Sequence, residues 1–445
     1  MSPVDDAART RAVARVMQHA APATLQRTVA ELVDIPSPTG GEAALADHLV
    51  RRMSEAGVQA RTLHLDPDQA DAVGRLAGTG GGPDLLLYSP LDTFTSGDEA
   101  EDVPWVGPVL RPDMQPRAVV EGPYVTGLGA GNPKAHAACV LVAVQALAAA
   151  GVPLLGDVVA GFGAGGMPGN VREPHPRGRT GTGHGVGAGH LLEQGGTPDF
   201  AVLAKPGWSV SHEEVGLCWF DVTVHGTSCY VGSRHRMPYS NPIVSAGRLA
   251  VLLEDWLADY AERNRTGTFF PQGVIGSIRG GCERMVAATP AACRMRLDIR
   301  TTPETTAPAL RRELRAAVAG FAADLGVRVD VELAVSVPGS RTDPGSWVVR
   351  SAVSAWEQVA GEPHVVAVDN SGATDAEILR MRGVPTARVG MPKVDGRAVD
   401  GVAAFEVDFQ RGMNTADVRE MRRLTEVLVR TALDTAGRPL AEVGL

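Results

Sequence analysis

The sequence predicts an α/β protein in which a three-layer α/β/α domain is interrupted by a smaller α+β domain. Three observations predict it. Short apolar runs alternate with amphipathic helical patterns and end in polar, glycine-rich turns, as strands buried on both faces do. From Gly216 the pattern changes to apolar/polar alternation, the signature of antiparallel strands. The 445 residues, 44% of them hydrophobic, also exceed one ordinary domain and can fill two cores.

In chain order, Pro22 to Leu32 reads as a helix with proline in its first turn, and Ile35-Pro-Ser-Pro-Thr-Gly-Gly-Glu42 as a turn. A second helix runs from about Glu42 to Ala56, and Val58 to Leu65 reads as a strand. The buried strand Asp84 to Tyr88 ends at Ser89-Pro-Leu-Asp-Thr-Phe94, at its carboxyl end, where open α/β sheets place their sites. The Gly-rich turn Thr126-Gly-Leu-Gly-Ala-Gly-Asn-Pro-Lys-Ala-His136 opens a long apolar helix, Ala137 to Leu155. Strand Asp157 to Phe162 ends in Gly163-Ala-Gly-Gly-Met-Pro168, and Arg172 to His190 reads as a low-complexity loop. Strand Asp199 to Ala204 ends at Lys205.

Helix Val244 to Arg263, strands near Gly273 to Ile278 and Cys293 to Ile299, helix Pro303 to Leu325 and strand Val327 to Leu333 complete a β-α-β-β-α-β order. The expected boundaries are 216–335 for the insert, and 1–215 with 336–445 for the larger domain. Helix Ser346 to Val359, a helix opened by Ser371 to Ala376, strand Thr386 to Val389 and a helix from about Asn414 to Ala436 return to that larger domain.

Composition narrows the partners. A formal net charge of −9 argues against nucleic acid, which needs a basic face. The apolar run after Ala137 is broken by Gln145, Gly151 and Pro153, so it reads as a buried helix and not a membrane span. No signal sequence opens the chain, and five cysteines without paired spacing suggest reduced thiols and a cytoplasmic protein. Of 42 Lys plus Arg, only Lys134, Lys205 and Lys393 are lysine. A lysine amine, unlike guanidinium, neutralises on burial and then serves as base or nucleophile.

The order of elements resembles the dizinc aminoacylase, acetylornithine deacetylase and glutamate carboxypeptidase family, whose members hydrolyse amide bonds. The resemblance spans nearly the whole chain. It rests on Ile35 to Glu42, Leu85-Leu-Leu-Tyr-Ser-Pro-Leu-Asp-Thr93, the Gly127 to Lys134 loop, Leu297-Asp-Ile-Arg300, and Gly372-Ala-Thr-Asp375 with Gly383-Val-Pro385. It implies a zinc-peptidase-like catalytic domain carrying an inserted lid and dimerisation domain, and hence a homodimer.

The family's ligand positions do not carry over. Pro90 stands where the resemblance implies a histidine, Asn132 where it implies the bridging aspartate, and Gly165-Gly166 where it implies two glutamates. Lys205 replaces an acidic ligand, Tyr230 the substrate-contacting histidine, and Gly412 the last histidine ligand. Zinc needs three or four N, O or S ligands at about 2.0 to 2.3 Å, so a dizinc mechanism and any metal cofactor are not expected.

The candidate catalytic set is therefore Lys205 with Asp92, Asn132, Lys134 and His136, all three lysines converging on one pocket through Lys393. Lys205 is expected to act as base or nucleophile, Asp92 to position it or His136, and Asn132 and Tyr230 to hydrogen-bond an oxyanion. Arg234, His235, Asn241, His212 and Lys393 complete the expected contacts with a small, amino-acid-like substrate. Simpler readings stand beside these: Asp92 caps a turn, Tyr230 packs at a domain edge, His136 faces along its helix, and Arg234-His235-Arg236 is a solvated turn.

Three functions remain open at this point. The first is a metal-independent enzyme that makes, breaks or rearranges an amide-type bond. The second is a catalytically dead protein that holds a ligand in the same cleft. The third is a hydrolase with a metal relocated to histidines 175, 184, 190, 212 and 235, whose scattered positions lack the fixed spacing of real sites.

Overall fold

The computed structural model describes residues 3–103, 105–169, 179–195, 197–392, 394 and 412–445. The chain divides into two compact units. One comprises residues 1–212, 342–366 and 374–445; the other comprises 213–341 with 367–373. The second unit thus starts three residues before the expected boundary, ends six after it, and takes in a short later segment.

The first unit is built on a six-stranded sheet in the order Gln59–His64, Ala70–Leu76, Val158–Gly163, Leu85–Pro90, Phe200–Ala204, Thr386–Val389. The last four run parallel; the first two are antiparallel to their neighbours. Side chains alternate across the strands. Leu85, Leu87, Val158, Ala160, Phe162, Val202 and Ala204 enter one core with the helices, while Leu86, Tyr88, Val159, Ala201 and Leu203 enter a separate one on the opposite face. Both faces being buried explains why these strands read as unbroken apolar runs.

The first core is closed by helices Pro22–Val33, Ala43–Glu55, Ala135–Ala150, Trp347–Ala360 and Val418–Thr435. Every residue from Ala135 to Val144 is buried, so this apolar helix is the middle of a core. It starts earlier and ends earlier than expected, because Gly151 terminates it in a left-handed conformation. Helices Val186–Glu193 and Ala376–Met381 cover the second core.

Two expectations need correction. The glycine-rich tail of the supposed loop is helical from Val186, since Gly187 lies where a Cβ would come within 2.2 Å of Asp71 Oδ1. Residues 172–178 of that loop, including His175, lie outside the described residues. Strand Ala70–Leu76 was not expected at all. Asp71, Arg75 and Gly74, where a Cβ would strike the Met53 sulfur at 2.4 Å, hide the pattern.

The second unit is an antiparallel sheet, Gly273–Gly280, Ala292–Thr301, Gly216–His225, Val329–Val337, with helices Pro242–Arg263 and Ala307–Leu325. Phe220, Val222 and Val224 alternate into its core with Cys293, Met295, Leu297 and Ile299. All five cysteines of the chain are free.

Candidate functional site

The carboxyl ends of three adjacent parallel strands bring the predicted residues together: Asp92 follows Leu85–Pro90, Lys205 follows Phe200–Ala204, and the loop Ala164–Met167 follows Val158–Gly163. That loop supplies backbone, not side chains. Its four successive N–H groups donate to carboxylates from three other segments: Ala164 to Asp71 Oδ1 (2.9 Å), Gly165 to Glu42 Oε1 (2.9 Å), Gly166 to Asp92 Oδ1 (2.8 Å) and Met167 to Asp92 Oδ2 (2.8 Å). Thr39 Oγ1 also donates to Asp92 Oδ2 at 2.8 Å, and Gly40 N to Glu42 Oε1 at 2.9 Å.

These acids are all buried. Burial pushes the Glu42 carboxyl up to about 8, and the neighbouring Asp92 charge adds to the shift. Asp92 is also pushed up by burial, against the opposing pull of the Lys205 charge. Asp71 rises to about 6 by burial, although Ala164 N and the His190 ring, 2.8 Å away, both favour its anion. Asp375 completes the group and accepts from the Tyr88 hydroxyl at 2.7 Å. A charged carboxylate in such surroundings is costly unless its oxygens are hydrogen-bonded.

Lys205 is 7% exposed. Its backbone N–H donates to Val389 O at 3.2 Å, and Gly390 packs so tightly that a Cβ there would stand 1.7 Å from Lys205 O. Among the described residues its ammonium has no hydrogen-bond or ion-pair partner. Its charge is felt by Asp92 and by His136.

Other expectations are corrected by their surroundings. Lys134 does not share a pocket with Lys205. Its side chain is fully buried and donates to Ile35 O (2.7 Å) and Val33 O (3.4 Å), closing the end of helix Pro22–Val33. Burial lowers it to about 7, and the charge it feels is that of Asp34. His136 is pushed down to about 3, first by burial and then by Lys205, and Nε2 accepts from Met391 N at 3.4 Å. It is a neutral acceptor within the core, not an acid. Asp92 hydrogen-bonds neither Lys205 nor His136, its oxygens being taken by Thr39, Gly166 and Met167.

Asn132 is 6% exposed; Nδ2 donates to Met413 Sδ at 3.2 Å and Oδ1 has no partner. Beside that oxygen, the second N–H of Nδ2 also stays uncommitted, so the carboxamide keeps one acceptor and one donor. Lys393 lies outside the described residues. His212 is half-buried at the end of its segment, its backbone carbonyl accepting from Thr342 N at 2.8 Å.

Tyr230, Arg234, His235 and Asn241 stand on the second unit. Tyr230 is exposed, Arg234 lies over the Tyr239 ring at 4.8 Å, and His235 Nε2 accepts from Arg236 Nε at 3.1 Å. Asn241 Oδ1 accepts from Ile243 N at 3.0 Å, capping helix Pro242–Arg263.

The residues do not fit a dizinc centre. Gly165 has φ +62°, and a Cβ there would meet Thr182 O at 2.1 Å. At Gly166 a Cβ would meet the Pro90 ring at 2.5 Å and Asp375 Oδ2 at 2.9 Å. Two glutamates cannot stand at these positions without moving backbone, and Pro90 fills the space beside them. Among the described residues no group of three or more His, Cys, Asp or Glu is placed to hold a metal. Of the histidines proposed for a relocated metal, His190 is engaged with Asp71.

Sequence reasoning passed over Glu42, Asp71, Tyr88 and Asp375. Glu42 and Asp375 both lay inside quoted motifs and carried a usable signal, an acid ending a glycine-rich turn. Asp71 sat in the unrecognised strand.

Comparison with known proteins agrees with this architecture. Residues 212–324 match the family described as peptidase dimerisation domain. The whole chain has the fold of M20-family peptidases and related amidohydrolases. It is similar to human carnosine dipeptidase 1 (13% identity, 96% of this chain and 98% of that one, TM-score 0.69). It is also similar to a hydantoinase/carbamoylase family amidase from Burkholderia ambifaria (20% identity, 94% and 98%, TM-score 0.59). A third similar structure is Bacillus subtilis YXEP, a dinuclear metal binding peptidase from the M20 family (14% identity, 93% and 98%, TM-score 0.61).

Glu42 provides a test of the buried acids. An unfolded glutamate releases its proton near 4.5, whereas the folded one holds it to about 8. The raised group stabilises the fold fully below pH 4.5, and that contribution is lost as pH rises towards 8. Glu42→Gln keeps an acceptor for Gly40 and Gly165 but cannot ionise. Urea melts from pH 5 to 8 should show wild type losing stability relative to Glu42→Gln by at least about 1.4 kcal/mol, the worth of one pKa unit. Parallel curves would contradict the assignment.

Proposed function

We propose that the chain acts on an amide-type bond of a small, amino-acid-like substrate without a metal ion, with Lys205 as base or nucleophile. The observation carrying this reading is the Lys205 ammonium: almost buried, at the carboxyl end of a central parallel strand, and without a partner among the described residues. An unpaired buried ammonium is costly, and the neighbouring Asp92 carboxylate already accepts from three other donors, which leaves the ammonium for another molecule on this reading. The amide-bond class is supported by the fold, shared with proteins described as dipeptidases and amidases. Within the site, the Lys205 amine would take the proton of the water that adds to the carbonyl carbon, or itself add there; in either case the C–N bond breaks and the proton passes to the nitrogen that leaves.

A second reading, a protein that holds a ligand without turning it over, is favoured by the closure of Gly166 against Pro90 and by the burial of Lys134 and His136. Lysine variants separate the two. With dipeptides and N-acyl amino acids as the panel, turnover should survive exhaustive chelation. Lys205→Met should lower it at least about a hundredfold with the fold intact. Lys205→Arg should fail too, because guanidinium stays protonated. Near-wild-type turnover in Lys205→Arg would remove the lysine from the chemistry, and an inert wild type would favour the ligand-holding reading.

We also propose a homodimer formed through the second unit, which the match to a peptidase dimerisation domain supports. Strands Gly273–Gly280 and Val329–Val337 are the two edges of its sheet, and strand addition from a second copy extends a sheet at such an edge. Light scattering at micromolar concentration should give twice the 46.5 kDa chain mass; a 46.5 kDa species would contradict it.

A further inference from the structure

We infer that a cavity at the opposite end of the sheet from Lys205 binds a small monocarboxylate with an apolar body, its carboxylate paired with Arg350. The inference goes beyond the amide-bond reading above and does not rest on it.

Three helices wall the cavity: Pro3–Met17, Trp347–Ala360 and Val418–Thr435. Each presents residues four apart, which stand on one helix face: Arg9 with Val13, Arg350 with Ser354, and Arg430 with Asp434. The space between them, about 430 Å³, lies within the range of small-molecule sites. Small side chains on the middle helix, Ser351, Ser354 and Ala355, leave it open.

Position separates this cavity from the candidate site. The carbonyl of Ala436, two residues beyond Asp434, accepts from Leu155 N at 2.8 Å and Gly156 N at 2.9 Å, just before strand Val158–Gly163 begins. The last helix therefore ends at the amino ends of the parallel strands, whereas Lys205 and Asp92 follow their carboxyl ends.

Charge around the cavity is matched except at one group. Asp434 Oδ1 meets Arg9 Nη1 at 2.7 Å and Arg438 Nη2 at 2.8 Å, and Oδ2 accepts from Ser351 Oγ at 2.8 Å. Arg430 donates to Glu426 Oε1 from Nε at 2.9 Å and from Nη2 at 2.7 Å, and from Nη1 to Gln358 Oε1 at 2.6 Å. The Arg350 guanidinium has neither a hydrogen bond nor an ion pair among the described residues; it lies 5.3 Å from the centre of the Trp347 ring. A guanidinium over a ring keeps its N–H edge for a carboxylate, which it meets with two parallel bonds. Trp347, which also lines the cavity, has a buried Nε1–H without a partner. What these groups lack is an acceptor.

The apolar body follows from the remaining wall. Val13 and Ala355 are buried and, with the Trp347 ring, offer the surface on which a hydrocarbon group would lie. Burying that group supplies most of the affinity, because an exposed ion pair alone contributes little. An ammonium on the ligand gains nothing here, since Asp434, the acid in the wall, is already held by two arginines.

Titration calorimetry on the full chain tests this with 3-phenylpropanoate, which should saturate one site per chain. It should bind at least about fivefold more tightly than 3-phenylpropanamide, phenylalanine or acetate, a difference of about 1 kcal/mol. These lack the charge, add an ammonium and lack the apolar body, respectively. Arg350→Leu should lower the acid to the amide's affinity, and Arg350→Lys, which keeps the charge without the fork, should fall between. Ser354 is exposed, so Ser354→Trp can fill the cavity without disturbing the core and should remove binding. Lys205→Met should bind the acid as wild type does, so a failure of the lysine chemistry leaves this result standing. No saturable binding to wild type, equal affinity for the amide, undiminished binding in Arg350→Leu or Ser354→Trp, or loss of binding in Lys205→Met would each overturn the inference.

Discussion

Four consecutive peptide N–H groups, from Ala164 to Met167, end on buried carboxylates drawn from a turn, a strand and the end of another strand. Removing a carboxylate from water costs several kcal/mol even after relaxation. A hydrogen bond to a charged group returns roughly 1.5 to 3 kcal/mol. One such bond therefore does not offset burial and three come close. Both acids are pushed up, but Asp92 accepts on both oxygens and has a nearby ammonium, while Glu42, at about 8, has all its donors on Oε1 and leaves Oε2 without a partner.

That constraint reaches into the sequence. Amides can approach carboxylates this closely only if the loop carries almost no side chains, and Gly165 and Gly166 have no room for them. The loop supplies donors to anions through its backbone. Pro90 packs into the space left over, and Lys205 brings the positive charge that a group of buried acids requires.

Much of the fold was legible because it follows from burial alone. Strands covered on both faces read as apolar runs, and Leu85–Pro90, Val158–Gly163 and Phe200–Ala204 were all found in that way. Ala70–Leu76 escaped because Asp71 and Gly74 break the run, each for a packing reason that lies in another segment. The site was legible in position but less so in role. Lys134, Lys205 and Asp92 were all singled out by residue type, yet side-chain direction decides their use. Lys134 turns inward to helix-end carbonyls, Asp92 faces amides, and Lys205 is left uncommitted. A sequence places residues at the end of a strand; it does not say which carbonyl a lysine will meet. Glu42 and Asp71 were missed for the converse reason, since each accepts from a backbone N–H of the Ala164–Met167 loop, which leaves no mark on residue identity.

The central claim is that the carboxylates of this site are committed to protein donors rather than to a cation. Zinc titrated calorimetrically into chelator-treated protein, with elemental analysis after dialysis, tests it most directly. The account predicts no saturable binding and far less than one zinc ion retained per chain. Two zinc ions per chain surviving dialysis would contradict it.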